Sequence, residues 1–386
     1  MLHVVYSFPF RIGVPGIGMT AWHQVSGLVG QGVKVSLYCG SCERPIAGVH
    51  RLVETLKCGG IKIPYRFLGM RRANTLHDKS VARDLQRLSS PVDIVHCWPG
   101  GSLETLKAAK RLGVHTFLER QNCHTAYAFE SVAAEHRKIG LAMPRGYTHA
   151  YDSGRLTREE AEFSEADTLL CPSEFVAGTF RSRGFTDSQL ARHQYGYDPT
   201  LFSCNGEQPA TRRFLAAFVG RCEPRKGLHY ALQAWHNSGA AEVGRFAICG
   251  SFMEGYRELL GPLLDHPSIE MTGFVSDPER IMQQSEVLFL PAIEEGSALV
   301  TYEARGAGCV LAVSSASGAV GRPDIDILVH PVGDVDKLTS QFTSLLEDRA
   351  RLNELRDASI ATTDELTWAA AAKRLVACYQ QPGERN

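Results

Sequence analysis

The chain has 386 residues, 44% of them hydrophobic and 22% charged. That composition excludes global disorder and, at roughly 150 residues per domain, predicts two domains. Basic and acidic side chains number 41 and 42, so no overall field draws nucleic acid, and none is expected as a partner. Eleven cysteines are scattered singly, apart from Cys39-Gly-Ser-Cys42. With no second CxxC at zinc spacing, they predict buried free thiols in a reducing compartment.

The N-terminus, MLHVVYSFPF, enters an apolar strand at once, without the basic and long apolar regions of a secretory leader. No run approaches the roughly 18 apolar residues of a membrane helix. The expectation is a cytoplasmic protein, with peripheral contact at the inner membrane surface left open.

Residues 2–7 read as a buried strand, the glycine-rich 13–18 (GVPGIG) as a loop, 19–30 as a helix and 33–38 as a second strand. The theme recurs in VDIVHCW (92–98) before the helical 102–112, in HTFLER (115–120), and in ADTLLCPS (166–173) before another helix. After Tyr195-Gly196-Tyr197-Asp198-Pro199, the polar stretch 203–212 reads as a linker. A second series follows, with strands at 214–220, 245–250, 268–274, 286–292 and 309–315. The terminal 365–381 has helical apolar spacing and is expected to pack back on the first domain. Apolar strands alternating with helices specify α/β domains with parallel sheets covered on both faces.

In such sheets ligands bind at the carboxyl ends of strands, where helix N-termini present N–H groups to anions. Gly220-Arg221 follows one strand, and Lys226-Gly227 opens the next helix. Two cations beside a helix N-terminus suit a diphosphate, since their charge and the helix dipole both favour the anion. A solvated basic loop is the alternative. In PAIEEGSALVTYEARGAG (291–308), Glu295 precedes a helix and Glu303 lies inside it, eight residues later. At about 100° per residue they differ by roughly 80° net, so both can border one cleft. Carboxylates accept hydrogen bonds from sugar hydroxyls. The intervening Gly296-Ser297-Ala298-Leu299 would offer backbone N–H groups to phosphate oxygens. A capping acid plus a solvated helix glutamate is the plainer alternative.

These segments resemble the retaining glycosyltransferases of family 4 (glycosyl transferases group 1), which have the GT-B architecture of two facing Rossmann-like domains. GRCEPRKG (220–227) is similar to the family's G-R-x-x-x-x-K-G, and EGSALVTYEARGAG (295–308) to its E-x7-E segment. VDIVH (92–96), CPSEFV (171–176), YGYDPTLF (195–202), ICG (248–250), GFVSD (273–277) and the TW-containing terminal helix extend the likeness along nearly the whole chain in family order.

The resemblance implies an N-terminal acceptor domain, 1–198 plus 365–386, and a C-terminal donor domain, 199–364. It implies that Arg221 and Lys226 bind the donor diphosphate, Glu303 the ribose and Glu295 sugar hydroxyls. Phe274 and Val275 would lie against the base, with Gly250 and the 296–299 backbone completing the donor site. Gly16 and Gly18 match the family's glycine loop, where a side chain would block phosphates or acceptor. His124 holds the place of an active-site histidine that contacts the donor sugar, and Arg120 nearby would serve a phosphate or pair with an acid. The implied reaction is retaining transfer to an acceptor hydroxyl on a saccharide, lipid-linked glycan or small molecule. It needs no metal and no cofactor, because the nucleoside-diphosphate sugar is a substrate.

This chain departs from the family pattern in having Ser297 and Ala298 after the first glutamate, and Ser251-Phe252 after Gly250. The base, sugar and acceptor are left unassigned. An epimerase or phosphorylase of the same fold, or a non-catalytic sugar-nucleotide-binding protein, is the competing reading. YRFLGMRRAN (65–74) mixes apolar, aromatic and cationic residues and is the segment suited to a lipid-linked acceptor or anionic membrane. An ordinary loop and helix start is its alternative.

Overall fold

The computed structural model describes residues 1–58, 61–62, 68–88, 90–204 and 214–381. Most of the expected linker, and the first residues of 65–74, lie outside them. The chain divides into two units: Met1–Gln121 with Asp152–Gln194 and the segment from Trp368 onward, and Asn122–Tyr151 with Tyr195–Thr367.

The first unit is built on strands β1 (His3–Ile12), β2 (Lys34–Cys42), β3 (Arg51–Glu54), β4 (Ile94–Cys97), β5 (His115–Glu119), β6 (Thr168–Cys171) and β7 (Leu190–Arg192). They form one parallel sheet in the order β3-β2-β1-β4-β5-β6-β7. Central strands are buried on both faces: Val4, Val5, Tyr6, Val95, Phe117 and Leu118 are fully enclosed. That is why they read as continuous apolar runs rather than alternating ones. Helices α1 (Ile17–Gly30), α2 (Met70–Leu85) and α3 (Leu103–Arg111) belong to this layer, as does the terminal helix Trp368–Gln380.

That last helix returns to the first unit as expected. The Tyr379 hydroxyl bonds His96 Nδ1 at 2.5 Å, and Trp368 stacks on His23 with ring centroids 4.5 Å apart. Beneath it, Glu119 is fully buried, 2.9 Å from His193 Nε2 and 3.5 Å from His96 Nε2, and it accepts from Gln24 Nε2 at 2.9 Å. Although burial opposes its ionisation, His193 and His96 hold the Glu119 carboxyl well below the usual range.

The second unit repeats the theme with β8 (Leu215–Val219), β9 (Arg245–Cys249), β10 (Ile269–Gly273), β11 (Val287–Leu290), β12 (Val310–Ser314) and β13 (Leu328–His330). These too are parallel, in the order β10-β9-β8-β11-β12-β13. Two parallel Rossmann-like sheets with helices between strands are the expected GT-B fold class. In each unit the order reverses beside the first strand, which makes the carboxyl ends of β8 and β11 a switch point where ligands bind.

The second unit also holds helix α4 (Thr125–Lys138), which the sequence boundaries assigned to the first domain. Its packing partners explain the difference. Glu135 accepts from the Tyr230 hydroxyl at 2.7 Å and bonds His229 Nε2 at 2.8 Å, while Lys138 donates to the Tyr230 hydroxyl at 2.7 Å. A polar cluster formed across distant sequence has no periodic signature. Residues 195–198 and 365–367 likewise group with the second unit, where the Tyr197 N–H donates to Leu366 O.

Candidate functional site

Strand β8 ends at Val219 and delivers Gly220 and Arg221 to the switch point. Gly250 closes β9 beside them, and the Gly220 N–H donates to Cys249 O at 2.9 Å. A single 3-10 turn, Pro224–Lys226, then leads into helix α5 (Leu228–Asn237), whose N-cap is Gly227. Gly227 has φ 72°, and a Cβ there would collide with the Pro291 carbonyl. Only glycine satisfies both the left-handed conformation and that approach. The helix starts with no side-chain cap and no acid in its first turn, so its positive dipole end is left to other anions.

Pro291 begins the loop after β11, so the two segments carrying the charged motifs abut. The Ile293 N–H donates to Arg225 O at 2.8 Å, and Arg225 Nη1 donates to Glu294 O at 2.8 Å. The Arg225 guanidinium is surrounded by carboxylates: Glu223 Oε1 at 3.0 Å, Glu295 Oε1 at 2.9 Å and Glu294 Oε2 at 3.5 Å. Lys226 Nζ also pairs with Glu295. Arg221 is the outlying cation, with its side chain 55% exposed and 3.6 Å from Glu223.

The two adjacent glutamates separate electrostatically. Burial pushes the Glu294 carboxyl up, against the pull of Arg225. Glu295 is buried too, yet Arg225 and then Lys226 hold it below the usual range. Glu294 Oε1 accepts from the Cys123 thiol at 3.2 Å, and Glu294 Oε2 lies 3.8 Å from His149 Nδ1. His124, next to Cys123, is the N-cap of α4, and its ring Nδ1 accepts from the Ala126 N–H at 3.2 Å. Tyr147 donates to Glu223 Oε2 at 3.2 Å. Segment 122–151 thereby reaches this cluster from within the same unit.

Lys226 and Glu295 are thus in contact, Arg221 is linked to them only through Glu223 and Arg225, and His124 is one residue from a thiol that touches Glu294. Glu303 lies in helix α6 (Leu299–Gly306), where burial, and then the charge of Glu279, push its carboxyl up to about 7. Ser297 is turned inward, bonding the Tyr302 hydroxyl at 2.6 Å and donating to Gly318 O at 3.0 Å. The Ala298 N–H is committed to Ser317 O at 3.2 Å, which removes it from the backbone donors expected for phosphate. Gly296 and Leu299 flank this turn at the start of α6. Phe274, 84% exposed, and Val275 follow β10.

Gly16 and Gly18 belong to the first unit, at the start of α1. A side chain at Gly18 would strike the Arg11 carbonyl, so internal packing alone demands that glycine. Arg120 is also in the first unit, 3.5 Å from Glu159 and with its guanidinium 4.2 Å from the Phe163 ring centre.

Sequence reading passed over Arg225, Glu223, Cys123, His149 and Tyr147. The one available signal was the pair of doublets, Arg225-Lys226 and Glu294-Glu295, at neighbouring strand ends. Among the described residues, no group of three or more His, Cys, Asp and Glu side chains is arranged to hold a metal. The arrangement can bind an anion through Arg221, Lys226 and the α5 N-terminus, and hydroxyls through Glu295 and Glu303.

Residues 213–348 match the family model described as Glycosyl transferases group 1. No curated protein matches the chain in sequence. Among solved structures, the chain is similar to sucrose-phosphate synthase from Thermosynechococcus elongatus, with TM-score 0.69 and 16% identity over 98% of each chain. Anabaena HepE in complex with UDP-glucose has TM-score 0.66 and 12% identity, over 98% of this chain and 100% of that one. An E. coli structure titled trehalose-6-phosphate bound with UDP-2-fluoro glucose has TM-score 0.65 and 14% identity over 99% of each. At these identities the likeness establishes the fold. Residues 213–348 match the glycosyl transferases group 1 model, in a chain that has the two-domain GT-B fold over nearly its whole length.

Proposed function

We propose that this protein is a retaining, metal-independent glycosyltransferase that moves a sugar from a nucleoside-diphosphate sugar to an acceptor hydroxyl. The observation that carries this reading is the cluster at the ends of β8 and β11, where Arg221 and Lys226 stand beside the uncapped α5 N-terminus and Glu295 is held ionised by Arg225. Sugar transfer from such a donor requires stabilising a leaving diphosphate and a cation-like sugar. Arg221, Lys226 and the helix N-terminus meet the first need, and Glu295 holds sugar hydroxyls. Glu303 accepts from the ribose, Phe274 and Val275 lie against the base, and His124 contacts the sugar. Lys226 exchanges its Glu295 partner for the diphosphate, while Arg225 remains to keep Glu295 charged. The UDP and UDP-glucose in the titles of similar structures support a uridine donor as the first to try.

The test is to follow donor consumption and product anomeric configuration by mass spectrometry and NMR, with UDP-, GDP- and dTDP-sugars and a panel of acceptors. Transfer with retained configuration in the presence of a metal chelator is expected. Glu295→Ala and His124→Ala should bind nucleotide and fail to transfer. Inverted configuration, or full turnover in both variants, overturns the assignment.

A further inference from the structure

Helix α2 buries Ala73, Asn74, His77, Asp78, Val81, Ala82 and Leu85 against the first unit. Its other face is exposed at Arg72, Leu76, Lys79 and Arg83, and the exposed Arg87 follows in the next turn. At about 100° per residue, the four helical positions fall in a stripe roughly 60° wide. None of these four cations has an ion-pair partner among the described residues. The acids that could have neutralised them are occupied elsewhere: Asp78 is buried, 2.9 Å from Arg158 Nη2, and Asp84 pairs with Arg51 at 2.9 Å. Arg71 is the paired exception, bonded to Asp152 at 2.6 Å.

At the N-terminal end of this stripe the cations adjoin exposed apolar side chains. Met70 is 52% and Leu76 47% exposed, and Leu68, Arg71, Arg72, Thr75 and Leu76 line one shallow open cavity. The chain as a whole carries a net charge of −1, so this basic stripe is a local feature and not the overflow of a basic protein.

We propose that this face of α2 docks the protein on an anionic lipid bilayer. The cations meet lipid phosphates in the headgroup layer, and Met70, Leu76 and Leu68 enter the boundary with the acyl chains. A nucleic acid fits less well. No Phe, Tyr or Trp occurs between Leu68 and Arg87 to stack on bases, and the His77 ring is buried; a phosphate backbone also gains nothing from exposed methionine and leucine. The docking is independent of what the second unit binds.

The experiment is flotation of the full chain with phosphatidylcholine vesicles, with and without phosphatidylglycerol. Binding is expected only to the anionic vesicles and is expected to fall roughly tenfold or more when salt shortens the screening length. Lys79→Glu/Arg83→Glu should abolish it. The milder Arg72→Gln/Lys79→Gln should weaken it roughly tenfold, with far-UV circular dichroism unchanged because all these positions are exposed. Met70→Ser/Leu76→Ser, at unchanged charge, should also weaken binding. Equal binding to neutral and anionic vesicles, or charge variants that bind like the parent, overturns the proposal. So does an unaffected Met70→Ser/Leu76→Ser variant whose binding is displaced by single-stranded RNA, since that outcome assigns the stripe to polyanions in general.

Discussion

Arg225 Nη1 lies 2.9 Å from Glu295 Oε1, and the same guanidinium reaches Glu223 and Glu294. One buried cation therefore holds the carboxylates of two separate loops. Replacing it with the similarly shaped Met leaves three carboxylates with too little positive charge. Arg225→Met should lose about 3 kcal/mol of stability, read by urea unfolding. Because the Arg225 charge is the largest single influence lowering the Glu295 carboxyl, the acid limb of the transfer pH profile should also move to higher pH, with Arg225→Lys restoring part of the shift. An unmoved profile in the Met variant would show that Arg225 only packs.

Lys226→Ala removes the second cation on Glu295 and the proposed diphosphate contact. Loss of a charge-assisted hydrogen bond predicts UDP binding weaker by roughly tenfold to a hundredfold. Uridine, which lacks the diphosphate, should bind as before. Titration calorimetry with both ligands separates the two, and equal UDP affinity in parent and variant would count against the clamp.

Glu303 carries a raised carboxyl, about 7. A carboxyl raised by folding gives stability that is fully present below the unfolded value, near ~4.3, and is lost as pH rises through the folded value. Glu303→Gln should therefore make the protein more stable at neutral pH by thermal unfolding. If the ionised carboxylate accepts from the ribose, nucleotide binding should tighten as pH rises through that value. The Gln variant should bind roughly tenfold more weakly and lose the part of the pH dependence that exceeds the phosphate's own.

Glu119 has the opposite sign. Its depressed pKa gives stability that is present above the unfolded value, near ~4.3, and lost as pH falls toward the folded one. Glu119→Gln should cost about 2 kcal/mol at neutral pH, since it weakens the buried carboxylate's hydrogen bonds to His193 and Gln24, and should flatten the acid side of the stability curve. Chemical denaturation at several pH values checks both.

Gly227→Ala tests the contact between the two site loops. Its φ of 72° and the collision with the Pro291 carbonyl predict a loss of at least ~2 kcal/mol, measured by thermal unfolding. A neutral substitution would mean that the loops can separate without cost.

Much of the architecture was legible in the sequence because it is periodic. The apolar runs at 2–7, 92–98, 214–220 and 286–292 are strands buried on both faces, and such strands announce themselves through composition. The short edge strands β3, β7 and β13 did not, since Arg51–Glu54 is largely exposed or half-buried and carries no apolar run. The places of Arg221 and Glu295 after strands, and of Glu303 within a helix, were legible because fixed spacing after a strand or within a helix constrains where a residue falls.

What the sequence determined by itself was the alternation of strands and helices and the strand-end position of the charged motifs, both properties of short stretches of chain. Only the tertiary structure decided that Arg225 is the common partner of Glu223, Glu294 and Glu295, and that segment 122–151 joins the second unit through Glu135, His229 and Tyr230. The physical reason is that β8 and β11 are neighbours in the sheet though distant along the chain. A buried charge is matched by whatever opposite charge the fold brings within a few ångströms, and that pairing has no local spacing to read.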